Sequence, residues 1–249
     1  MFDYIKLNQG LPFFEPKKRH AILVNNYGYS GYSRHELHTR GNLRIYDMES
    51  ILSGKVTFGD GSENYGFWPM VLSDCFGKIM RSYKEHRRDL KYEPVIKIFP
   101  DENVPVRLSD SAKKLSTIAS KDSLTFVYLM SHGNDGSISL GNLDVKYKDI
   151  LDLFDDVLGK KTILITACHS GSLIRELCTR EKREDYVLIT SSRSNEKATN
   201  CGDDDVDRLI WDVIHDRKKL SDIDFTSGLM SGLFKDQTPQ IFGYFDVQL

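Results

Sequence analysis

The sequence predicts an α/β protein built on about six mostly parallel strands, with helices on both faces of the sheet. Two observations lead to this fold class. Short apolar runs recur along the 249 residues, and segments with helical spacing lie between them. The runs have little polar alternation, which is typical of parallel strands buried on both faces. Because no repeat, low-complexity tract or linker interrupts the pattern, we expect one domain over residues 1–249.

Six short runs rich in branched residues are the predicted strands. In chain order they are residues 21–25, 95–99, 125–130, 162–167, 185–190 and 240–244. Apolar residues at helical spacing predict helices after Pro69 and at residues 43–52, 111–120, 147–158 and 206–215. In a sheet of this kind the functional site lies at the carboxyl ends of the strands.

Two segments do not fit the alternation of strands and helices. Residues 54–68 are rich in glycine and aromatic side chains, which predicts a long loop or hairpin. Residues 137–145 carry Gly141 and Asn142 in their middle, which predicts a small β-hairpin. Each insertion either shapes a binding cleft or forms a surface excursion.

Charge balance and cysteine content bear on partners and compartment. With 34 basic and 36 acidic residues the formal charge is −2, so bulk charge gives no reason to expect nucleic acid or an anionic membrane as a partner. No targeting segment or membrane span is evident. The four cysteines form no CxxC pair, so we expect reduced thiols in a cytoplasmic protein. A mature secreted domain would have the same features.

Two predicted strands end in residues with catalytic chemistry. His132 and Gly133 follow the run at 125–130, and Cys168 follows the run at 162–167. Neighbouring parallel strands bring these ends together, so the imidazole can accept the thiol proton and activate the sulfur for attack on a carbonyl. The backbone N–H groups of Gly133 and Cys168 are candidates for an oxyanion hole. The pair, flanked by small residues, is hard to explain as core packing.

The two strand ends, TFVYLMSHG and TILITACHSG, resemble those of the cysteine peptidases of the caspase–hemoglobinase fold. That group includes caspases, metacaspases, legumains and the catalytic subunit of the GPI transamidase. The resemblance extends from about His20 to Gly243, and the separation of 36 residues between the histidine and the cysteine also fits. It implies a protein or peptide substrate, Cys168 as nucleophile, His132 as general base and an acyl-enzyme intermediate.

The resemblance also implies a charged pocket for the P1 side chain of the substrate. The segment Gly31-Tyr32-Ser33-Arg34-His35 is similar to the legumain segment whose Arg-His pair helps to form this pocket, which assigns substrate binding to Arg34 and His35. Ser33 stands where legumains have an asparagine that supports the catalytic histidine. Arg40 resembles the first-strand arginine with which caspases read an acidic P1 residue.

Two further positions belong to the implied pocket. Thr166 stands two residues before the nucleophile, where legumains and metacaspases offer a carboxylate, and the loop that starts at Ser191 is expected to form another wall. An uncompensated Arg34 or Arg40 would favour an acidic or amide P1 residue. Carboxylates from residues 203–205 would instead favour a basic one. The sequence leaves the P1 preference open.

Metal binding has two candidates in the sequence. The acidic cluster at residues 202–207 caps a helix, binds regulatory calcium or belongs to the substrate pocket. A zinc site from Cys168, His169, Cys178 and Cys201 matches no common spacing. We therefore expect no catalytic metal or resident cofactor. We also expect that His169, beside the nucleophile on an extended strand end, points away from the site and is not the base.

Other functions remain open. Acyl transfer to an amine and a catalytically silent scaffold both fit the fold, whereas a flavodoxin-like binding domain lacks a glycine fingerprint. Control of activity would come from loop ordering, an ion, dimerisation or an activating partner. Caspases are commonly cut between their two subunits, so we expect self-processing within the corresponding residues 179–184 or not at all.

Overall fold

A six-stranded sheet forms the centre of the computed structural model. Its strand order is β10-β9-β8-β4-β2-β3, and every neighbouring pair is parallel except β10 with β9. The strands are β2 (Lys18–Asn25), β3 (Val95–Ile98), β4 (Ser123–Met130), β8 (Lys160–Thr166), β9 (Tyr186–Thr190) and β10 (Gln240–Gly243). All six predicted strands and the mostly parallel sheet are confirmed.

The structure describes residues 11–27, 41–42, 45–46, 48–49, 52–53, 91–198, 219–222 and 237–249. The loop predicted at 54–68 and the helices predicted after Pro69 and at 206–215 lie outside these residues. Within them, no helix is long and apolar enough to cross a membrane.

The central strand β4 shows how the core is divided. All eight of its residues are buried, and successive side chains point to opposite faces of the sheet. Phe126 and Tyr128 join one hydrophobic cluster, whereas Val127 and Leu129 join the other. The apolar run without polar alternation therefore reflects a strand that is covered on both sides.

Helices cover both faces, as predicted. Three of them pack on the cluster that contains Val127: α1 (Val104–Ile118), α2 (Tyr147–Asp155) and α3 (Ser172–Cys178). On the opposite cluster lie Ile45, Met48 and Leu52, which are in helical segments of the region predicted as helix 43–52.

Three helix ends and one whole helix differ from the prediction, and one of these ends is that of α1 at Ile118 rather than at residue 120. Helix α1 begins at Val104 rather than at residue 111, because Pro105 is accommodated in the first turn, where its missing N–H costs nothing. Helix α2 ends at Asp155, three residues before the predicted end at 158. Helix α3 was not predicted, because its seven residues are too few to reveal a period.

Two small sheets complete the described architecture. The predicted hairpin is confirmed as β6 (Ser137–Leu140) and β7 (Leu143–Lys146), and β5 (Gly133–Asn134) adds a third strand directly after His132. Strand β1 (Phe13–Phe14) pairs with β11 (Asp246–Val247). Short 3-10 turns at Arg183–Asp185 and Leu220–Asp222 precede β9 and β10.

Candidate active site

The strand register brings His132 and Cys168 to the same edge of the sheet. Asn25 of β2, Met130 of β4 and Thr166 of β8 are register partners and form one row at the carboxyl ends of these strands. Thr166 lies 36 residues after Met130, and Cys168 lies 36 residues after His132. The two predicted catalytic residues therefore each lie two residues beyond the same row.

His132 is half-buried at this edge. Its Nε2 is buried and has no hydrogen-bond partner among the described residues. Burial lowers the pKa of the imidazole from its ordinary value, because the charged form loses hydration. The ring is consequently neutral at neutral pH, which is the state that can accept a proton from a thiol.

Tyr27 contacts His132 from the end of β2. The two rings are 5.3 Å apart between centroids and meet edge to face at 76°. The hydroxyl of Tyr27 donates a hydrogen bond to the carbonyl of Thr166 at 3.0 Å, so this fully buried side chain touches both strands that carry the predicted dyad. Tyr27 was not among the residues predicted for the site. Its position two residues after an apolar strand, at the same edge as His132, was the available indication.

Gly133 lies directly against the backbone of Cys168. A Cβ atom at this position would clash with the carbonyl oxygen of Cys168 and meet Cβ of Ala167 at 3.0 Å. Ser139 N–H donates to the carbonyl of His132 at 2.9 Å, which makes 132 and 139 a hydrogen-bonded pair of the antiparallel ladder. The next pair, Gly133 with Ile138, is then non-hydrogen-bonded, so the N–H of Gly133 points away from β6.

A tight turn follows Cys168. His169 has a positive φ of 58°, and its backbone N–H donates to the carbonyl of Glu196 at 2.7 Å. Its Nδ1 lies 2.9 Å from the carbonyl oxygen of Ser194. The expectation of an extended backbone at this residue was therefore wrong, because the chain turns here into α3. The imidazole of His169 is engaged with the loop after β9.

That loop also approaches the thiol and holds the turn. The Sγ of Cys168 lies 3.7 Å from the carbonyl oxygen of Ala198. The hydroxyl of Ser191 accepts the N–H of Ala167 at 3.2 Å and donates to the carbonyl of the same residue at 3.3 Å. Ser192 adds a bond to that carbonyl at 3.0 Å. The end of β8 is thus fixed to the end of β9.

Two of the predicted substrate-binding residues are fully buried. Ser191 directs its hydroxyl to the backbone of Ala167, and Thr166 ends β8 with an Oγ1 that has no hydrogen-bond partner among the described residues. Their contact with a substrate stays a prediction. The hydrogen bonds of Ser191 give it a role in holding the strand end before Cys168.

Glu196 connects the loop after β9 to the entry of β10. Its carboxylate accepts the N–H of Thr238 at 2.8 Å, the hydroxyl of Thr238 at 2.9 Å and the N–H of Arg193 at 3.1 Å. Its own carbonyl receives the N–H of His169. Glu196 was not predicted from the sequence either, because the contact with Thr238 joins segments 42 residues apart.

Comparison with known proteins identifies the family. The model of the peptidase C13 family matches residues 95–224, just over half of the chain, and this match includes His132 and Cys168. The chain belongs to the peptidase C13 family. A comparison with curated proteins finds no match.

The fold of this C13 family member is caspase-like. The crystal structure of caspase-1 from Spodoptera frugiperda is similar to it at a TM-score of 0.55 and 13% sequence identity, and the similarity covers 100% of this chain and 97% of that chain. At this identity the similarity concerns the fold alone. Family and fold together confirm the resemblance to cysteine peptidases of the caspase–hemoglobinase fold.

Several residues considered for the substrate pocket or for a metal site of this C13 family member lie outside the described residues. They are Ser33, Arg34, His35, Arg40, Cys201 and the acidic cluster at 202–207. The residues that follow Arg40 are described: the side-chain amide of Asn25 donates to Oδ1 of Asn42 at 2.8 Å, and Gly41 packs closely on Asn25. This segment is therefore attached to the carboxyl end of β2. No group of three acidic, histidine or cysteine side chains in the described part forms a metal site.

Proposed function

We propose that this member of the peptidase C13 family is a cysteine endopeptidase that uses Cys168 as nucleophile and His132 as general base. One observation carries the proposal. The register of β4 and β8 extends both residues equally beyond the row of Met130 and Thr166, with Gly133 packed against the backbone of Cys168. The lowered pKa of the half-buried His132 supports its role as a base.

The reaction follows from these groups. His132 accepts the proton of Cys168, and the thiolate sulfur attacks the carbonyl carbon of the scissile peptide bond. The N–H groups of Gly133 and Cys168 stabilise the oxyanion of the tetrahedral intermediate. The imidazolium then returns its proton to the leaving amine, which leaves a thioester. A water molecule, deprotonated by His132, attacks this thioester and releases the acid and the thiol.

The P1 residue of the substrate is recognised by a charged pocket in this proposal. Arg34 and His35 are assigned to it from the legumain resemblance, and Arg40 from the caspase resemblance. Gly41 and Asn42, which directly follow Arg40 in the sequence, contact Asn25 at the carboxyl end of β2. Cationic groups without a compensating carboxylate would select an acidic or amide P1 side chain.

The test is cleavage of a peptide library fixed at P1 to Asn, Asp, Arg or Lys, with and without calcium. We expect wild type to cut one class of peptide, Cys168→Ala to cut none, and Cys178→Ala to match wild type. Cys178 is a suitable control because it is the exposed thiol of α3. Activity that persists in Cys168→Ala, or silence of wild type on every peptide in every condition, would reject the proposal.

An added amine distinguishes hydrolysis from acyl transfer. The thioester is attacked by water in a peptidase and by an amine in a transamidase, so the same assay is repeated with a glycine amide nucleophile. Release of the free acid as the main product supports the endopeptidase. A ligated amide as the main product would move the assignment to acyl transfer by the same Cys168.

A further inference from the structure

The residues that follow β2 sit at the same edge as the dyad. Asn25 is in the register row with Met130 and Thr166, so Tyr27 lies two residues beyond that row, as His132 and Cys168 do. Each of these three neighbouring strands is therefore followed, two residues beyond the row, by one residue at the edge that carries the proposed site. Two of these residues are used by the proposed chemistry, and Tyr27 is not.

We propose that Tyr27 is the positioning residue of the catalytic histidine, an inference that rests on the proposed function. Its ring meets the imidazole edge to face at a centroid distance of 5.3 Å. Such a contact is attractive and orients both rings. The hydroxyl of Tyr27 is anchored on the carbonyl of Thr166 at 3.0 Å, in the strand that leads to Cys168. One side chain thus ties the orientation of the base to the strand of the nucleophile.

Tyr27 is itself held firmly. Its backbone N–H donates to Oδ1 of Asn25 at 2.9 Å, and its side chain is fully buried. Restricted rotation of the tyrosine is what allows it to restrict the imidazole. A proton acceptor that is held in one orientation loses less entropy in the transition state.

The preceding residue, Asn26, contacts Ser131, which comes just before His132, and the hairpin that pairs with the segment after it. Its side-chain N–H₂ group donates to Oγ of Ser131 at 3.1 Å and to the carbonyl of Ser139 at 2.8 Å. Its Oδ1 accepts the N–H of Gly141 at 2.9 Å. The segment after β2 therefore supports the base twice: Asn26 holds the chain that carries it, and Tyr27 holds its ring.

Tyr27 also shields the imidazole from water. Burial is what lowers the pKa of His132, and Tyr27 supplies an apolar ring to that surrounding. In the described residues, the titratable groups that follow the neighbouring strands are Tyr27 after β2, and Cys168 and His169 after β8, where the His169 ring faces the carbonyl of Ser194. Removing the tyrosine ring should hydrate the imidazole and raise its pKa towards the ordinary value.

The experiment compares Tyr27→Phe with Tyr27→Leu. Histidine titration by NMR in a Cys168→Ala background gives the pKa of His132, identified by the signal lost in His132→Gln. Peptide cleavage by the variants with Cys168 intact gives kcat and KM. We expect Tyr27→Leu to raise the pKa of His132 and lower kcat about 10- to 100-fold with little change in KM. Tyr27→Phe keeps the aromatic ring, so it should leave the pKa of His132 unchanged and keep most of the wild-type kcat.

The control for a merely structural effect is Tyr92→Leu. Tyr92 is also a buried tyrosine of the same cluster, but it packs on Phe126 rather than on the dyad. This variant should lose stability without moving the pKa of His132. An unchanged pKa in Tyr27→Leu, or a loss of kcat equal to that of Tyr92→Leu, would overturn the positioning role. The NMR titration needs no activity, so a failure of the proposed function is seen separately, as an inactive wild type.

Discussion

Gly133 gives the most direct mutational test at the scale of single residues. An alanine there would clash with the carbonyl oxygen of Cys168, and because this atom belongs to the backbone it cannot move aside cheaply. We expect Gly133→Ala to displace the nucleophile and the proposed oxyanion donor, and to lower kcat about 100-fold or more. Steady-state kinetics with the best peptide of the library measures the effect.

The matched control is Gly136→Ala. Gly136 has a positive φ of 82°, and a Cβ atom at this position would have no described neighbour within 4 Å, so alanine meets strain but no clash. It should lower the free energy of unfolding by about 1 kcal/mol and leave kcat near that of wild type. Equal loss of activity in both variants would show that Gly133 has no special relation to the nucleophile.

The pH dependence of cleavage tests the environment of His132. Because burial lowers its pKa, the imidazole stays neutral to a pH below its ordinary value of about 6.5. We expect kcat/KM to fall on the acidic side with an apparent pKa below 6.5, since protonation removes the general base. A pH–rate profile of wild type measures this. An acidic limb centred above 6.5 would contradict a desolvated base.

The candidate site could be predicted from the sequence only in part. His132, Gly133 and Cys168 were found because strand ends carry the chemistry in parallel sheets, and this rule needs only local patterns. Tyr27 and Glu196 were not found, because their relevance arises from contacts across the fold, to residue 132 in one case and to residue 238 in the other. The turn at His169 was missed because positive φ at a histidine has no pattern in the sequence.

At the scale of elements, charged and polar contacts anchor the connection between α3 and β9 on α2. Arg180 pairs with Asp152 at 2.5 Å and with Asp155, both of α2. Asp155 also accepts the hydroxyl of Tyr186 at 2.7 Å, and its carbonyl accepts Nζ of Lys182 at 3.1 Å. Asp155 is thus the centre of a network that fastens the connection to α2.

Asp155→Ala should be costly for stability. The substitution removes the charged partner of the mostly buried Arg180, and it also removes the carboxylate that accepts the hydrogen bond of the Tyr186 hydroxyl. We therefore expect the free energy of unfolding to fall by about 2–3 kcal/mol. Urea denaturation measures the change. Asp110→Ala, which breaks an exposed pair with Lys113, should cost no more than about 0.5 kcal/mol. Equal effects of the two variants would refute a central role of Asp155.

The same network bears on self-processing. Residues 179–184 are the expected place of self-cleavage if it occurs at all, and their attachment through Arg180 and Lys182 favours an uncut chain, because a peptidase needs an extended segment. We expect wild type and Cys168→Ala each to keep the mass of its own uncut chain on storage. Trypsin should cut this connection faster in Asp155→Ala than in wild type. A fragment boundary within 179–184 in wild type alone would contradict this.

Strands were predicted better than helices at this scale. A strand such as β4, buried on both faces, leaves a continuous apolar run, and such runs mark all six strands. Helix α3 has only two turns and leaves no period. The start of α1 depends on Pro105 being accepted at its N-terminus, which is compatible with the sequence but not required by it.

For the whole molecule, we expect two histidines of the described residues to make the free energy of unfolding depend on pH. Burial lowers the pKa of both His20 and His132. Below about pH 6.5 the unfolded chain binds protons that the folded chain does not, so the free energy of unfolding should decrease as the pH falls through this range. Each histidine contributes a slope of at most about 1.4 kcal/mol per pH unit. Above this range both are neutral in either state and contribute no slope.

Urea denaturation between about pH 5 and pH 8 measures this dependence. His20→Gln should reduce the change of the free energy of unfolding with pH on the acidic side, because it removes one of the two buried imidazoles. His20 lies in β2, with Nδ1 2.7 Å from the carbonyl oxygen of Glu93, and is far along the chain from the proposed dyad. If the free energy of unfolding of wild type were the same at the acidic and the neutral end of this pH range, the fold would not protect either histidine from protonation.

Because the pairing of β4 with β8 determines where His132 and Cys168 meet, the number of residues between them carries no geometric information. An insertion in an exposed turn between the two strands would lengthen this separation and leave both side chains opposite each other. A deletion of one residue inside β8 would instead turn Cys168 to the other face of the sheet. The exposed turns of the connecting segment can therefore differ in length, while the pairing of β4 with β8 keeps His132 and Cys168 at the same edge of the sheet.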